Sequence, residues 1–265
     1  AIVGLARDSE VDYVTVGGDL YEHDRVTPDT AAFLRQAFED CQPAQVILVP
    51  GNHDPYTVDS LYRRPGQWPA NVRVVETPEI GLIDDANGAY LYAAAQPAPA
   101  FRENLVCQAC VETPGPNLLL LHGSDTSAIP PGVDAYCPFN PQEFRAAGFD
   151  LALLGHYHRG YERRIGPSLM VYPGAPDLFG FGDDATPHVL LVEIGEDGVA
   201  YEQVPTPAAD YRAEEIDISA AGSRTDVEQM LVEWSAAEGA QNALVRLTLA
   251  GQVSRSLDLD MRAIR

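Results

Sequence analysis

Basic charge is the first thing this sequence is short of. Seventeen Lys plus Arg stand against 39 Asp plus Glu, for a formal net charge of −22. Tight nonspecific grip on a phosphate backbone rests on cationic side chains, so the charge argues against such binding by this chain alone. It does not argue against metal-assisted phosphoester chemistry, because two bound divalent cations return about four positive charges where a phosphate sits. Cysteine is scarce too, with Cys41, Cys107, Cys110 and Cys137. Cys107 and Cys110 form a C-x-x-C with no second pair at zinc-finger spacing, so both are expected as small buried apolar side chains in a reducing compartment. No apolar run approaches the roughly 18 residues of a membrane helix. The opening AIVGLARDSE lacks the basic start, apolar middle and cleavage site of a secretory signal, which leaves a cytoplasmic location as the default. Repeats and low-complexity tracts are absent as well.

What is present is ordinary globular material: 265 residues, 46% hydrophobic, enough for one large domain or a large one with a small one. Residues 1–6 read as the end of a helix and DYVTV (12–16) as a strand. Thr27 caps a helix running to about Cys41, with Pro28 in its first turn. QVILV (45–49), LLLL (118–121), a helix over 141–147 and LALL (151–154) continue the alternation. Short, continuously apolar strands bounded by turn residues are expected of strands covered on both faces, so the class is α/β with a layered core. After His158 the strands LMVYPG, HVLLVEI and VAYEQV follow one another without a helix. VPTPAAD (204–210) is the linker candidate, dividing a domain over 1–207 from a small α+β appendage over 208–265, with a helix at 225–237 and a strand at 243–249.

Four of the apolar strands end in polar clusters: VTVGGD with Asp19, ILVPGNHD with Asn52 and His53, LLLLHG with His122, and LALLGHYH with His156 and His158. Ligands of open α/β sheets bind just outside the carboxyl ends of strands, so these side chains are expected to converge. Glycines at 17, 18, 51, 123 and 155 leave room beside them. Oxygen and imidazole donors without thiolate suit manganese, iron or zinc. A carboxylate such as Asp19 can bridge two ions about 3.5–4 Å apart. Taken singly, each has a plainer reading: His122 as a core histidine, Asn52-His53 as a turn, Asp19 as a loop cap. Together, in this order and all at strand ends, they point to a metal site.

The blocks Gly18-Asp19, Gly51-Asn52-His53-Asp54, His122-Gly123 and Gly155-His156-Tyr157-His158 resemble the ordered motifs of the calcineurin-like metallophosphoesterases. GGDLYEHD, VPGNHDPY and YPGAPDLFGFGD are similar to the SbcD-type nuclease subunit of a double-strand-break repair exonuclease, and ALVRLTL…SLDLD looks like the start of that family's DNA-capping domain. The resemblance implies a layered sandwich of mixed sheets flanked by helices, with a small C-terminal cap. It implies two divalent ions, manganese first, with Asp19 bridging both, Asn52, His122 and His156 on the second and His158 on the first. His53 is then not a ligand but the group beside the scissile phosphate. Asp54 has two readings, orienting His53 or facing solvent, and His23 is a candidate substrate contact. DNA, an ABC-type coiled-coil ATPase of the SbcC kind and a second copy of the chain are the implied partners.

The family's first motif, D-x-H, which comes from an opening strand, does not occur. Either a segment precedes Ala1 in the natural protein or only one ion is held well; the first is expected, since the missing strand would lie inside the sheet. An isolated 265-residue piece is then expected to be weak or inactive. Three functions follow in order: a metal-dependent nuclease, a phosphoesterase for nucleotides or another small diester, and an interaction module with a decayed site. A groove lined by Arg63, Arg64, Arg102 or Arg159 would favour a polymer, and an enclosed pocket a small substrate.

Overall fold

The structure, a computed structural model, describes all residues except 87, 130–133, 179, 182–185, 196–197, 207–209, 238–242, 254–256 and 258–265. Two units partition the chain, one comprising Ala1–Pro176 with His188–Thr206 and the other Asp177–Pro187 with Pro207–Arg265.

Period-two alternation in the apolar runs builds the first unit from the inside. In β6 (Asn117–His122) every residue is buried, with Leu119 and Leu121 on one face and Leu118 and Leu120 on the other. Flanking it are β7 (Leu151–Gly155), β9 (Ser168–Tyr172), β5 (Ala89–Ala93), β4 (Gly81–Ala86) and β8 (Tyr161–Ile165). These form a six-stranded sheet in the order β4-β5-β6-β7-β9-β8, parallel at its centre and antiparallel at both edges. A three-stranded parallel sheet contains β1 (Tyr13–Val16), β2 (Gln45–Leu48) and β3 (Val72–Val74), with β2 in the middle.

Three apolar layers separate these elements. Leu119, Leu121, Ala152, Leu154 and Met170 pack against Phe139, Phe149 and Phe144, the last from the helix α3 (Pro141–Ala146). Leu118, Leu120, Leu151 and Val171 meet Ile47 and Val49, placing the two sheets face to face. The far side of the small sheet, Val46 and Leu48, is covered by Leu34 and Phe38 of α2 (Pro28–Glu39). That helix begins as the sequence dictates, with the Thr27 hydroxyl accepting the Thr30 N–H at 3.1 Å and Pro28 in the first turn. A short helix α1 (Ile2–Asp8) precedes β1. The hairpin of β10 (His188–Gly195) and β11 (Gly198–Pro205) adds Leu190, Val192 and Tyr201 to the layer between the sheets.

Mixed, layered α/β architecture is therefore as expected, with two differences. The residues of β1 are only half-buried, because among the described residues no strand pairs with its outer edge, although its faces meet the layers on either side. Cys107 and Cys110 are exposed, not buried: a 3-10 turn over Val106–Gln108 carries them outside the sheet layers, while Cys41 and Cys137 fill the core.

In the second unit, β12 (Asp210–Asp217) and β13 (Ala243–Ala250) pair in parallel across α4 (Arg224–Ala237). Val227 of the helix is fully buried against Ile218 and Ala221. Phe181 meets Tyr211 edge-on at 5.3 Å and lies under the Arg246 guanidinium at 5.1 Å. Parts of YPGAPDLFGFGD, of the linker candidate and of the SLDLD tail fall outside the described residues.

Candidate metal centre

Parallel strands deliver their carboxyl ends to one place, and the register fixes which residues arrive together. His122 is paired with Gly155 across β6 and β7, so His156 follows immediately beside it. Val16 is paired with Leu48 across β1 and β2, so Asp19 and Asn52 leave adjacent strands on adjacent loops. The two sheets meet at these ends, where His122 Nδ1 is 2.7 Å from the Gly17 carbonyl.

That contact sets the chemistry of His122. A carbonyl only accepts, so Nδ1 carries a proton, and Nε2 either shares a second proton with Asp19 or offers its lone pair to a cation. Nε2 faces Asn52 Oδ1 at 2.9 Å and Asp19 Oδ2 at 3.2 Å, and Asn52 Oδ1 also lies 3.2 Å from His156 Nδ1. One donor atom each from Asp19, His122 and His156 lies within 4.8 Å of the other two. Lone pairs brought together without donors between them repel unless a proton or a cation is shared. The donor set therefore fits a divalent ion of the manganese, iron or zinc kind.

Electrostatics agree with that fit. Burial works against charge on Asp19, but hydrogen bonding and charge from His122 and the His53 N–H prevail and hold its carboxyl below the usual range. Burial, then the neighbouring His122, pushes the His156 imidazole down to about 4, so its ring is neutral and able to ligate near pH 7. His156 also adopts φ 107°, a strained backbone for a residue with a side chain, and Asp19 adopts φ 56°. At Gly51 there is no room for more, because a Cβ would strike the carboxylate and the N–H of Asp19.

His53 stands beside this cluster on a cavity of about 490 Å³ that Asp19, Asn52, His156 and His158 also line. Its N–H donates to Asp19 Oδ1 at 2.9 Å and its Nδ1 pairs with Glu22 at 3.0 Å. Burial lowers the His53 pKa, but Glu22 and then Asp19 outweigh it and raise the group above its ordinary value. Glu22, not Asp54, is thus the side chain that orients His53. His158 reaches the cavity wall but stands outside the three-residue donor group. His23 lines the cavity too, 3.4 Å from Asp59.

Asp54 does something neither expectation named. Fully buried, it accepts the N–H groups of Asp19 at 3.0 Å, Leu20 at 2.6 Å and Gly51 at 2.7 Å, and the Tyr62 hydroxyl at 2.7 Å. It ties the Asp19 loop to the Asn52 loop and has nothing left for His53. Glu22 was visible in the sequence as the residue before His23. Tyr136, which meets the His156 ring at 5.7 Å, carried no local signal at all.

None of the four arginines that would mark a polymer groove is among the residues lining the cavity. Arg63 instead lies over Tyr56 at 5.2 Å, and Arg102 pairs with Asp134 at 3.0 Å. The wall carries acid instead, in Glu22 and Asp24.

Residues 1–197 match the model of the calcineurin-like phosphoesterase superfamily domain. The chain belongs to that superfamily. Its metal-dependent phosphoester chemistry accords with the donor set above. A curated relative, the uncharacterised metallophosphoesterase YhaO of Bacillus subtilis, is 24% identical over 237 residues, which is 87% of this chain and 57% of the relative. The chain thus spans little more than half of that relative's length. Among solved structures, two crystal structures of Vps29 from Entamoeba histolytica are similar. One is a double mutant, at 15% identity and TM-score 0.36, covering 78% of this chain and 88% of that one. The other is the wild type complexed with zinc, at 16% identity and TM-score 0.35, covering 73% and 98%. Among the described residues, no helix is long and apolar enough to cross a membrane.

Proposed function

We propose that this protein is a metal-dependent phosphodiesterase that acts at DNA ends, as exonuclease and endonuclease. The observation that carries the hydrolase reading is the convergence of Asp19, His122 and His156 within 4.8 Å beside His53. Asp19, Asn52, His122 and His156 would hold one ion, and Asp19 with His158 would contribute to another. Bound divalent cations, manganese by expectation, supply Lewis acidity and neutralise charge on the phosphate oxygens. His53, raised toward its protonated form and oriented by Glu22, gives up a proton to the departing oxygen. Glu22 keeps the ring aimed at the cavity while that happens.

Nuclease specificity is supported by the resemblance of GGDLYEHD and VPGNHDPY to the SbcD-type subunit, and by a cavity wide enough for a nucleotide-sized end. Grip along a duplex would come from elsewhere: from residues 208–265 as a partial cap, from a second copy, and from an ABC-type ATPase carrying the basic surface this chain lacks. A second reading, a small diester as the true substrate, is favoured by the acidic cavity wall, on which no arginine stands among the described residues. The two separate in one assay. Linear DNA and bis-p-nitrophenyl phosphate are offered with manganese, and hydrolysis of the small diester alone removes the nuclease reading. In the same assay His53→Ala should keep its cation and lose turnover by about 10²–10⁴-fold. Undiminished cleavage by that variant removes His53 from the chemistry.

A further inference from the structure

Outside the cavity, a second buried aspartate joins both histidine-bearing loops, its carboxylate bonding within the turn after His122 and to β8, its backbone carbonyl to the turn between His156 and His158. Asp125 is fully buried in the turn that follows His122. Its Oδ1 accepts the N–H and the hydroxyl of Ser127 at 2.8 and 2.6 Å. Its Oδ2 accepts the Tyr161 hydroxyl at 2.7 Å and faces Arg163 Nε at 3.3 Å. The backbone is engaged as well. The Asp125 carbonyl accepts the Tyr157 hydroxyl at 3.0 Å, and its N–H donates to the Tyr172 oxygen at 3.2 Å. Tyr172 in turn donates to the Gly123 carbonyl at 2.8 Å, directly after His122.

Tyr157 is the residue between His156 and His158, and its ring lies 4.7 Å from that of Tyr172 and 5.3 Å from that of His156. Stacked rings alone would bind these strands together but tolerate sliding. Hydrogen bonds add direction, and a carboxylate removed from water is costly unless its oxygens are filled, as they are here. The bonds from Asp125 run to its own turn, to the start of β8, to the end of β9 and to the His156–His158 turn. No polymer contact or catalytic step needs that arrangement, whereas a fixed relation between His122 and His156 does.

We propose that Asp125 is a positioning residue for the cation centre. It clamps the loop behind His122 to the turn presenting His156 and His158, and so sets how tightly the imidazoles hold a divalent ion. The proposal rests on the hydrolase reading only in taking that centre to bind a cation.

Titration with Mn2+ by calorimetry, and the visible spectrum of the Co2+-loaded protein, test it on the full chain. Asp125→Asn keeps the shape and removes the charge. It should weaken Mn2+ binding by about 10–100-fold and shift the Co2+ spectrum at saturation, a change that lower stability alone does not produce. Tyr157→Phe keeps the ring stack and removes one hydrogen bond, and should weaken binding several-fold. Should Asp125→Asn fail to fold, Tyr157→Phe decides. Variants that bind Mn2+ as tightly as a binding parent, with an unchanged Co2+ spectrum, overturn the clamp alone. A parent that takes up neither ion overturns the hydrolase reading and the clamp with it.

Discussion

The three-stranded and six-stranded sheets each bring ligands to the same point, and they hold them by different means. The small sheet offers Asp19 and Asn52 from loops whose backbone N–H groups converge on one buried carboxylate, that of Asp54. The large sheet offers His122 and His156 from rigid, buried strands, and it positions the imidazoles through a strained backbone at His156 and side-chain hydroxyls around Asp125, with the Gly17 carbonyl of the small sheet's β1 exit holding His122 from across. β1 is half-buried while residues 46–48 of β2 and all of β6 are buried, so the Asp19 loop that leaves β1 has less packing to keep it in place. The difference teaches where precision comes from: packing orients a side chain on a buried strand, but a loop beside an open edge needs a charge to collect it.

Removing that charge is the heaviest blow available. Asp54→Ala leaves three N–H groups and the Tyr62 hydroxyl without their acceptor in a buried place. The expected loss is about 3–5 kcal/mol in denaturant unfolding, and the variant should take up no cation. A loss under about 1 kcal/mol would mean that the loops are held by packing after all, and the contrast between the sheets would dissolve.

Much of this was readable from the chain, for a physical reason. Runs such as LLLL and LALL bury both faces and announce themselves, and a ligand at the end of such a run has only one place to go. Most of the elements that were missed are of mixed polarity, the apolar AYLYA of β5 excepted. VRV in β3 and YERRI in β8 keep polar side chains outward at the edges of their sheets, and GLIDDA in β4 carries two aspartates. At the site, the candidate positions were legible because each lies at the end of an apolar strand. The work of Asp54 and Asp125 was not, because a carboxylate's role depends on its full set of donors, some of which arrive from tens of residues away. The donors to Asp54 come from 19, 20, 51 and 62, and nothing adjacent to GNHD distinguishes a clamp from a solvent-facing turn.

The large sheet's side of the contrast is tested at His156. At φ 107° a Cβ is unfavourable whatever the side chain, so His156→Gly should exceed His156→Ala in stability by about 1–2 kcal/mol, with cation binding lost in both. Equal stabilities would show that the turn relaxes once the imidazole is gone, and that strain there is a consequence of the ring's contacts and not of the β7 exit.

The smallest effect asks whether the two sheets communicate anywhere except at the ligands. Tyr13 at the start of β1 donates to Asp84 of β4 at 2.9 Å, bridging their edges at the far end of β1 from Asp19. Burial, then the hydrogen bond and charge of Asp84, pushes the Tyr13 phenol from 10.0 up to about 12. The folded chain therefore keeps this proton where the unfolded chain gives it up. Stability from the bridge is complete below pH 10 and drains away as the pH rises through about 12. Tyr13→Phe should cost about 0.5–1.5 kcal/mol at neutral pH, and the gap between parent and variant should close across that alkaline window. Denaturant unfolding at several pH values reads the gap, and other tyrosines cancel in the difference. Mn2+ affinity at neutral pH should not move, because the ligand loops are fixed by Asp54 and the Gly17 carbonyl. If affinity falls along with the bridge, the sheets act as one lever from edge to edge, and the two modes of support described above are a single one.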